Sequence, residues 1–213
     1  YRKLQISFGP PTLLFELVIN YEDGTCTTVH SDNNWKYDFS PVTFNCIYGG
    51  EDYDASREQK GWNQIGFDDS HWRPVVVQEA PKGVLRPQMA APVKIMERCD
   101  IQKVTKLNAE QIASASISTK RTVDPSAFVL DMGQNLAGFP EITVRGKRGQ
   151  KVTLIVAEAL TDEGACNQRQ TGRQHYYEYT LKGEGDETWH PRFSYYGFRY
   201  IQVEGAVLKG QKN

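Results

Sequence analysis

Apolar and polar residues alternate along most of this chain in short runs closed by glycine, proline, asparagine or aspartate, the period-two signature of strands. In "LFELVINYEDGT" the side chains of Phe15, Leu17, Ile19 and Tyr21 share one side of an extended backbone, and Asp23-Gly24 supplies a turn where positive φ costs little. "CTTVHSDNNWKY" follows at once, so a hairpin is predicted. "PEITVRGKRGQKVTLIVAEAL" places Ile142 and Val144 before a Gly-Lys-Arg-Gly turn and Val152, Leu154 and Val156 after it, which predicts another hairpin. "HYYEYTLKGEGDETW" and "FSYYGFRYIQVEG" add segments rich in aromatic and β-branched residues. Helical periodicity is weak throughout, and only "NAEQIASAS" at 108–116 offers a turn or two.

Many short strands with glycine-rich turns predict an all-β chain: antiparallel β-sandwich of jelly-roll or concanavalin-like type, one complete sandwich plus part of a second. The seam is expected in "VVVQEAPKGVLRPQMAAPV", where Pro81, Pro87 and Pro92 cannot donate to a ladder. A boundary near residue 80 divides the chain into 1–79, the closing part of one sandwich, and 80–206, a complete one, with 207–213 as the start of a linker. The expected core comprises Trp62, Phe67, Trp72, Phe128, Leu130, Leu154, Val156, Phe198 and Tyr200.

Composition narrows the partners. The chain has 213 residues, 24% of them charged, with a net charge of -1 and no basic stripe, so nucleic acid is not an expected partner. The longest apolar run, "TLLFELVI", carries Glu16 and is too short for a membrane span. Cys26, Cys46, Cys99 and Cys166 lie far apart and are expected as free, mostly buried thiols. His30, His71, His175 and His190 are scattered, and no zinc site is expected. The chain opens on Tyr1 without a leader pattern and is expected to continue upstream.

The candidate chemistry lies in four places. In "GWNQIGFDDSHW" the neighbouring Asp68 and Asp69 cannot converge on one bond as the ~5–9.5 Å facing carboxylates of a glycosidase do. Asp68 is expected instead to cap a turn that folds Trp72 into the core, where Trp72→Ala would cost about 3–5 kcal/mol. In "GGEDYDASRE" an extended backbone puts Asp52 and Asp54 on one face about 6.6–6.8 Å apart. That suits two carboxylates around a water, or oxygens for calcium, or simply a charged edge. Glu158 shares parity with Leu154 and Val156, and Arg199 with Ile201 and Val203, so each charge needs a partner; a bidentate Glu158–Arg199 pair is predicted. Trp62, Trp189, Tyr195 and Tyr196, with Tyr176, Tyr177 and Tyr179, are either a platform for sugar faces or inward-facing core.

With these segments laid out, the chain resembles the N-terminal, non-catalytic region of bacterial α-L-rhamnosidases, glycoside hydrolase family 78. The resemblance rests on "IYGGEDYDASRE", "GWNQIGFDDSHWRPV", "APKGVLRPQMAAPVKI", "LDMGQNLAGF", "VTLIVAEAL" and "WHPRFSYYGFRYIQVEG", in the family's order over about residues 15 to 205. It implies a glycosidase that removes terminal L-rhamnose with inversion, using carboxylates in an (α/α)6 barrel downstream of several β-sandwiches. Residues 1–79 resemble the family's N-terminal sandwich, a type that in some members binds rhamnose with calcium. Residues 80–206 resemble the concanavalin-like sandwich that precedes the barrel. Strands upstream of Tyr1 and the barrel after "VLKGQKN" are then expected to lie outside this sequence. The fragment itself is expected to be catalytically silent, with no cofactor of its own and with calcium possible in an intact N-terminal sandwich. Its expected partners are rhamnose-containing carbohydrate and the catalytic barrel, and its expected location is periplasmic or extracellular. Two other roles compete: a lectin-like module for rhamnose-bearing glycans, and a stand-alone hydrolase using Asp52 and Asp54.

Overall fold

A computed structural model of the chain describes residues 10–79, 83–84, 86, 88–114, 127–171 and 175–209. Its strands run in chain order as β1 (Glu16–Asn20), β2 (Cys26–His30), β3 (Lys36–Tyr37), β4 (Val42–Cys46), β5 (Gly50–Asp54), β6 (Arg73–Pro74), β7 (Lys103–Leu107), β8 (Ala127–Gly138), β9 (Ile142–Val144), β10 (Lys151–Ala157), β11 (Ala159–Leu160), β12 (Cys166–Asn167), β13 (Tyr176–Thr180), β14 (Glu187–Trp189) and β15 (Tyr196–Glu204). A short helix, α1 (Ala109–Ser114), stands where the helical pattern was predicted. Its start is a reciprocal cap in which Asn108 Oδ1 accepts from Gln111 N and Gln111 Oε1 accepts from Asn108 N.

The chain forms two compact units. One is built mainly from Ser40–Glu58 and Val93–Asn213, the other from Gln5–Phe39 and Gln59–Pro92. The boundary expected near residue 80, with Pro81 and Pro87, and residues 210–213 of the expected linker lie outside the described residues.

The first unit is organised by a seven-stranded sheet in the order β4-β5-β13-β10-β15-β8-β7. Neighbours are antiparallel except β5 and β13, which run parallel with Asp52 opposite Glu178. The hairpin predicted across the Gly-Lys-Arg-Gly turn is not formed. The turn exists, with Gln150 N donating to Lys147 O at 3.0 Å, but the strands on either side of it pair elsewhere. β10 pairs with β13 and β9 with β14.

The reason is visible in the register. Lys151 opposes Thr180 and Val144 opposes Glu187, so both pairings belong to one antiparallel ladder, interrupted over 145–150 on one strand and 181–186 on the other. Both strands turn together there. Gly149 N donates to Leu181 O and Leu181 N to Gln150 O, while Gly149, Gly183 and Gly185 take φ values of 81, 82 and 99°. Glu187 fixes the corner, accepting from Lys182 N, Gly183 N and the Tyr179 hydroxyl at 3.0, 2.8 and 2.9 Å. The ribbon thereby doubles back and lays Trp189 against Tyr53 and Tyr179, with ring centroids 5.9 and 5.3 Å away. Ile142 and Val144 pack on the same cluster as Leu154, Val156, Tyr177 and Phe198.

Alternation along β10 gives Val152, Leu154 and Val156 to that layer and Ile155 and Ala157 to the opposite one. There Cys166 and Leu160, from the β11–β12 hairpin, cover them. Of the expected core, Phe128, Leu130, Leu154, Val156 and Phe198 are buried and Tyr200 is half-buried. Of the cysteines, Cys46 and Cys166 are buried but Cys26 and Cys99 are exposed, so burial holds for half of the thiols.

The other unit contains the predicted β1–β2 hairpin, closed by Tyr21 N donating to Thr25 O at 2.9 Å with Gly24 at φ 83°. Its expected inward face is open among the described residues, since only Ile19 is half-buried while Leu17 and Tyr21 are exposed. The Phe15 ring lies 5.5 Å from that of Trp35. Strands β3 and β6 pair beside the turn that carries Asp68.

Two glycines separate steric from torsional cost. At Gly50, φ 92°, an added Cβ would sit 1.9 Å from the carbonyl oxygen of Tyr176, whereas at Gly24 nothing lies within 4 Å. Gly50→Ala is expected to destabilise its unit by at least about 2–3 kcal/mol and Gly24→Ala by only about 1 kcal/mol, the torsional cost alone, as measured by urea unfolding.

Candidate functional site

A cluster of polar side chains on the first unit arises where a ladder breaks. β8 and β15 pair from Tyr196 opposite Gly138 to Phe198 opposite Leu136, and resume at Tyr200 opposite Asp131. Residues 132–135 of one strand therefore face Arg199 alone on the other. Gly133, at φ 83°, lets the backbone make this excursion, and bulges of this kind re-aim side chains.

Asp131 and Asn135, at the two ends of the excursion, take up the charges. Asp131 Oδ1 accepts from Gly133 N at 2.7 Å and from Arg199 Nε at 2.8 Å, and Oδ2 accepts from Arg199 Nη2 at 2.9 Å. The fork from Arg199 outweighs the partial loss of water and holds the Asp131 carboxyl below the usual carboxylate range. The Arg199 guanidinium also lies 5.1 Å from the Tyr200 ring centroid. Asn135 Nδ2 donates to Glu158 Oε1 at 3.0 Å.

The predicted Glu158–Arg199 pair is thus replaced by two pairs. The β10–β15 register ends with Ala157 opposite Tyr200, so Glu158 lies just past the end of β10 and Arg199 next to Tyr200 on β15. Each nevertheless bonds to β8, because the excursion brings Asp131 and Asn135 to them. The sequence signal for this was Gly133 inside a strand pattern, which marks a bulge.

The aromatic candidates divide. Trp189, Tyr177 and Tyr179 are core, so Trp189 is unavailable as a sugar platform. Tyr196 is half-buried, its ring 4.4 Å from that of His175, whose imidazole is pushed down to about 4 by burial. Tyr195 and Phe193 are exposed, as is Trp62, which was expected in the core.

Asp52 and Asp54 do share a face of β5, opposite to Tyr53. Asp54 is committed: Oδ1 accepts from Ser56 N and Oγ at 3.1 and 2.7 Å, and Oδ2 from Arg57 Nε at 3.1 Å. Burial raises this carboxyl, and the bonds from Ser56 and Arg57 outweigh it to leave it below its ordinary value. Three donors thus orient the Asp54 carboxylate toward the 55–57 turn.

Glu51, between them and the core, was missed. It is fully buried, and its carboxylate accepts from Asn45 Nδ2 at 3.0 Å and from the backbone amides of Arg192 and Phe193 at 3.2 Å. Burial pushes its carboxyl up despite those bonds. Its parity with Tyr53, the same argument that singled out Glu158, was the available signal.

In the other unit Asp68 Oδ1 accepts from Ser70 N at 2.9 Å, and Trp72 N donates to Asp69 O at 2.9 Å. Asp69 separately pairs with Lys36 Nζ at 2.8 Å. Trp72 is half-buried rather than a core plug: Nε1 donates to Gln59 Oε1 at 2.8 Å and the ring meets Phe67 edge-on.

Trp72→Ala is accordingly expected to cost about 1–2 kcal/mol, less than full burial would give, as measured by urea unfolding. For the clamp, a double-mutant cycle of Asp131→Asn and Arg199→Lys should show favourable coupling at neutral pH. The folded Asp131 titrates below its usual 3.8, so that coupling is fully present above 3.8 and fades as pH falls through the lowered folded value.

Two family models match this sequence. Residues 1–97 match the alpha-L-rhamnosidase N-terminal domain family and residues 121–213 the bacterial alpha-L-rhamnosidase concanavalin-like domain family. An alpha-L-rhamnosidase of Formosa agariphila is 33% identical over 96% of this chain, and one of Streptomyces avermitilis 35% identical over 93%. The chain spans about a fifth of the length of these curated relatives, 20% and 18% respectively. The crystal structure of the Streptomyces avermitilis enzyme complexed with L-rhamnose superposes with a TM-score of 0.76 at 33% identity, covering 93% of this chain and 18% of that one. The native enzyme from Aspergillus terreus gives 0.76 at 34% identity, covering 90% and 20%.

Proposed function

This chain belongs to the bacterial α-L-rhamnosidase family through its N-terminal and concanavalin-like domains, and from that premise we propose that it is the non-catalytic β-sandwich part of an enzyme releasing terminal L-rhamnose from glycans or glycosides. In this reading the sandwich buttresses a helical catalytic domain of the same polypeptide, which acts in the bacterial periplasm or outside the cell.

The observation that carries the reading is the employment of the carboxylates. An inverting glycosidase needs a general acid with a raised pKa and a general base on opposite sides of the scissile bond. Glu51 and Glu187 are buried, but loop amides and neighbouring side chains occupy both. Asp131 is exposed enough to meet a substrate, yet the Arg199 fork lowers its pKa, the wrong direction for an acid. Nothing in this arrangement supports bond cleavage.

Another reading, carbohydrate binding, is favoured by the Asn135–Glu158 and Asp131–Arg199 pairs together with the exposed Tyr195, which precedes β15 in sequence. The accessory reading is tested by incubating the chain with an aryl α-L-rhamnoside. No release of the aryl group above the buffer rate is expected; saturable release abolished by Glu158→Gln would overturn it.

A further inference from the structure

We propose that Asn135, Glu158 and Arg199 form a site that binds the vicinal hydroxyls of a neutral sugar ring. This deepens the carbohydrate-binding reading above, and it draws on the rhamnosidase family only for the choice of probe.

Hydroxyl groups both donate and accept, and they are best recognised by planar polar groups of both kinds held in fixed orientation. The break between β8 and β15 supplies that set. Glu158 Oε1 is bonded to Asn135 Nδ2, and among the described residues Glu158 Oε2 and Asn135 Oδ1 carry no hydrogen bond. Arg199 spends Nε and Nη2 on Asp131, leaving Nη1 to donate. Each outward-facing group is thus positioned by a partner that is itself fixed by the excursion in β8.

Charge discriminates among ligand classes. Asp131 pairs with Arg199, and Lys103, opposite Asp131 on β7, offsets the charge of Glu158, so the cluster carries no net charge and gives no strong attraction to phosphate or carboxylate ligands. A guanidinium within the same cluster disfavours a metal ion. A neutral polyol is repelled by neither group.

Shape agrees. Glu158 Oε1 lies against Gly197, where an added Cβ would come within 3.1 Å of it, so the glycine leaves room for the carboxylate to reach Asn135. Arg199 follows two residues later, about 6.6–6.8 Å along an extended strand, a span that one monosaccharide bridges. Tyr200 lies under the guanidinium, and Tyr195, exposed two residues before Gly197, offers an aromatic face of the kind sugars stack on.

The test is calorimetric titration of the chain with methyl α-L-rhamnopyranoside. Saturable binding in the millimolar range is expected, about tenfold or more weaker in Asn135→Ala and Glu158→Gln, the loss of one charge-assisted hydrogen bond. Gly197→Ala, which keeps every polar group and only crowds the Glu158 oxygen bonded to Asn135, should weaken binding as well, whereas Thr188→Ala on β14 should not. Thermal melting of each variant checks that it folds. Absence of saturable binding, or binding indifferent to all three site variants, overturns the proposal. Neither result touches the accessory reading, which fails only if the chain turns over an aryl rhamnoside.

Discussion

One antiparallel register, kept from Ile155 opposite Tyr176 to Ile142 opposite Trp189 across a break in pairing, sets the architecture of the larger unit. Because both strands bend together at 145–150 and 181–186, the ribbon supplies strands to the seven-stranded sheet and then a lid for it. The lid's position follows from the ladder rather than from separate packing choices. Trp189 meets Tyr53 and Tyr179 because the register leaves it no other place. Glu187 holds the bend from inside, and its loop amides outweigh its burial to keep the carboxyl below its usual value. Glu51, more deeply buried and held by longer bonds from its two amides, shows the opposite balance. It pins the 192–193 segment that leads from the lid into β15.

The polar cluster depends on the same sheet by a different device. A ladder of uniform pairing would have set Asp131 and Asn135 at fixed intervals along β8, too far apart to serve two charges on neighbouring strands. Spending residues 132–135 opposite Arg199 brings both ends of the excursion to one place. The cost is a stretch of strand without regular partners, offset by the bidentate clamp and by the Asp131 bond to Gly133 N.

Strand content, the first hairpin, the short helix and most of the core were legible because they are local, resting on periods of two and on turn chemistry within a few residues. The β9–β10 pairing was misread for an instructive reason. A glycine-rich turn between two apolar runs is the same signal whether the chain reverses within a sheet or passes from one sheet to another; only the partner strand of the ribbon, β13–β14, distinguishes them. Parity correctly flagged Glu158 and Arg199 as charges in need of partners. It could not name Asp131 and Asn135, because a bulge breaks the parity on which the inference rests. Trp62, Trp72 and Trp189 show the limit for aromatics: all three are large and apolar, yet they are exposed, half-buried and buried respectively. Their burial is decided by long-range topology and not by side-chain type.

The parallel pairing of β5 with β13 has a consequence for synthesis. Gly50–Asp54 leaves the ribosome long before its neighbour exists, and the backbone amide of Arg192 that meets the Glu51 carboxylate is 141 positions later. The sequence stretches of the other unit flank this early hairpin on both sides. Contacts so distant in sequence slow folding, because the loop must close before any of them can form. A nascent chain would therefore carry an unpaired β-edge and a solvent-exposed Tyr53 through most of its translation, which makes the interval before Tyr176–Thr180 emerges the period of greatest dependence on chaperones.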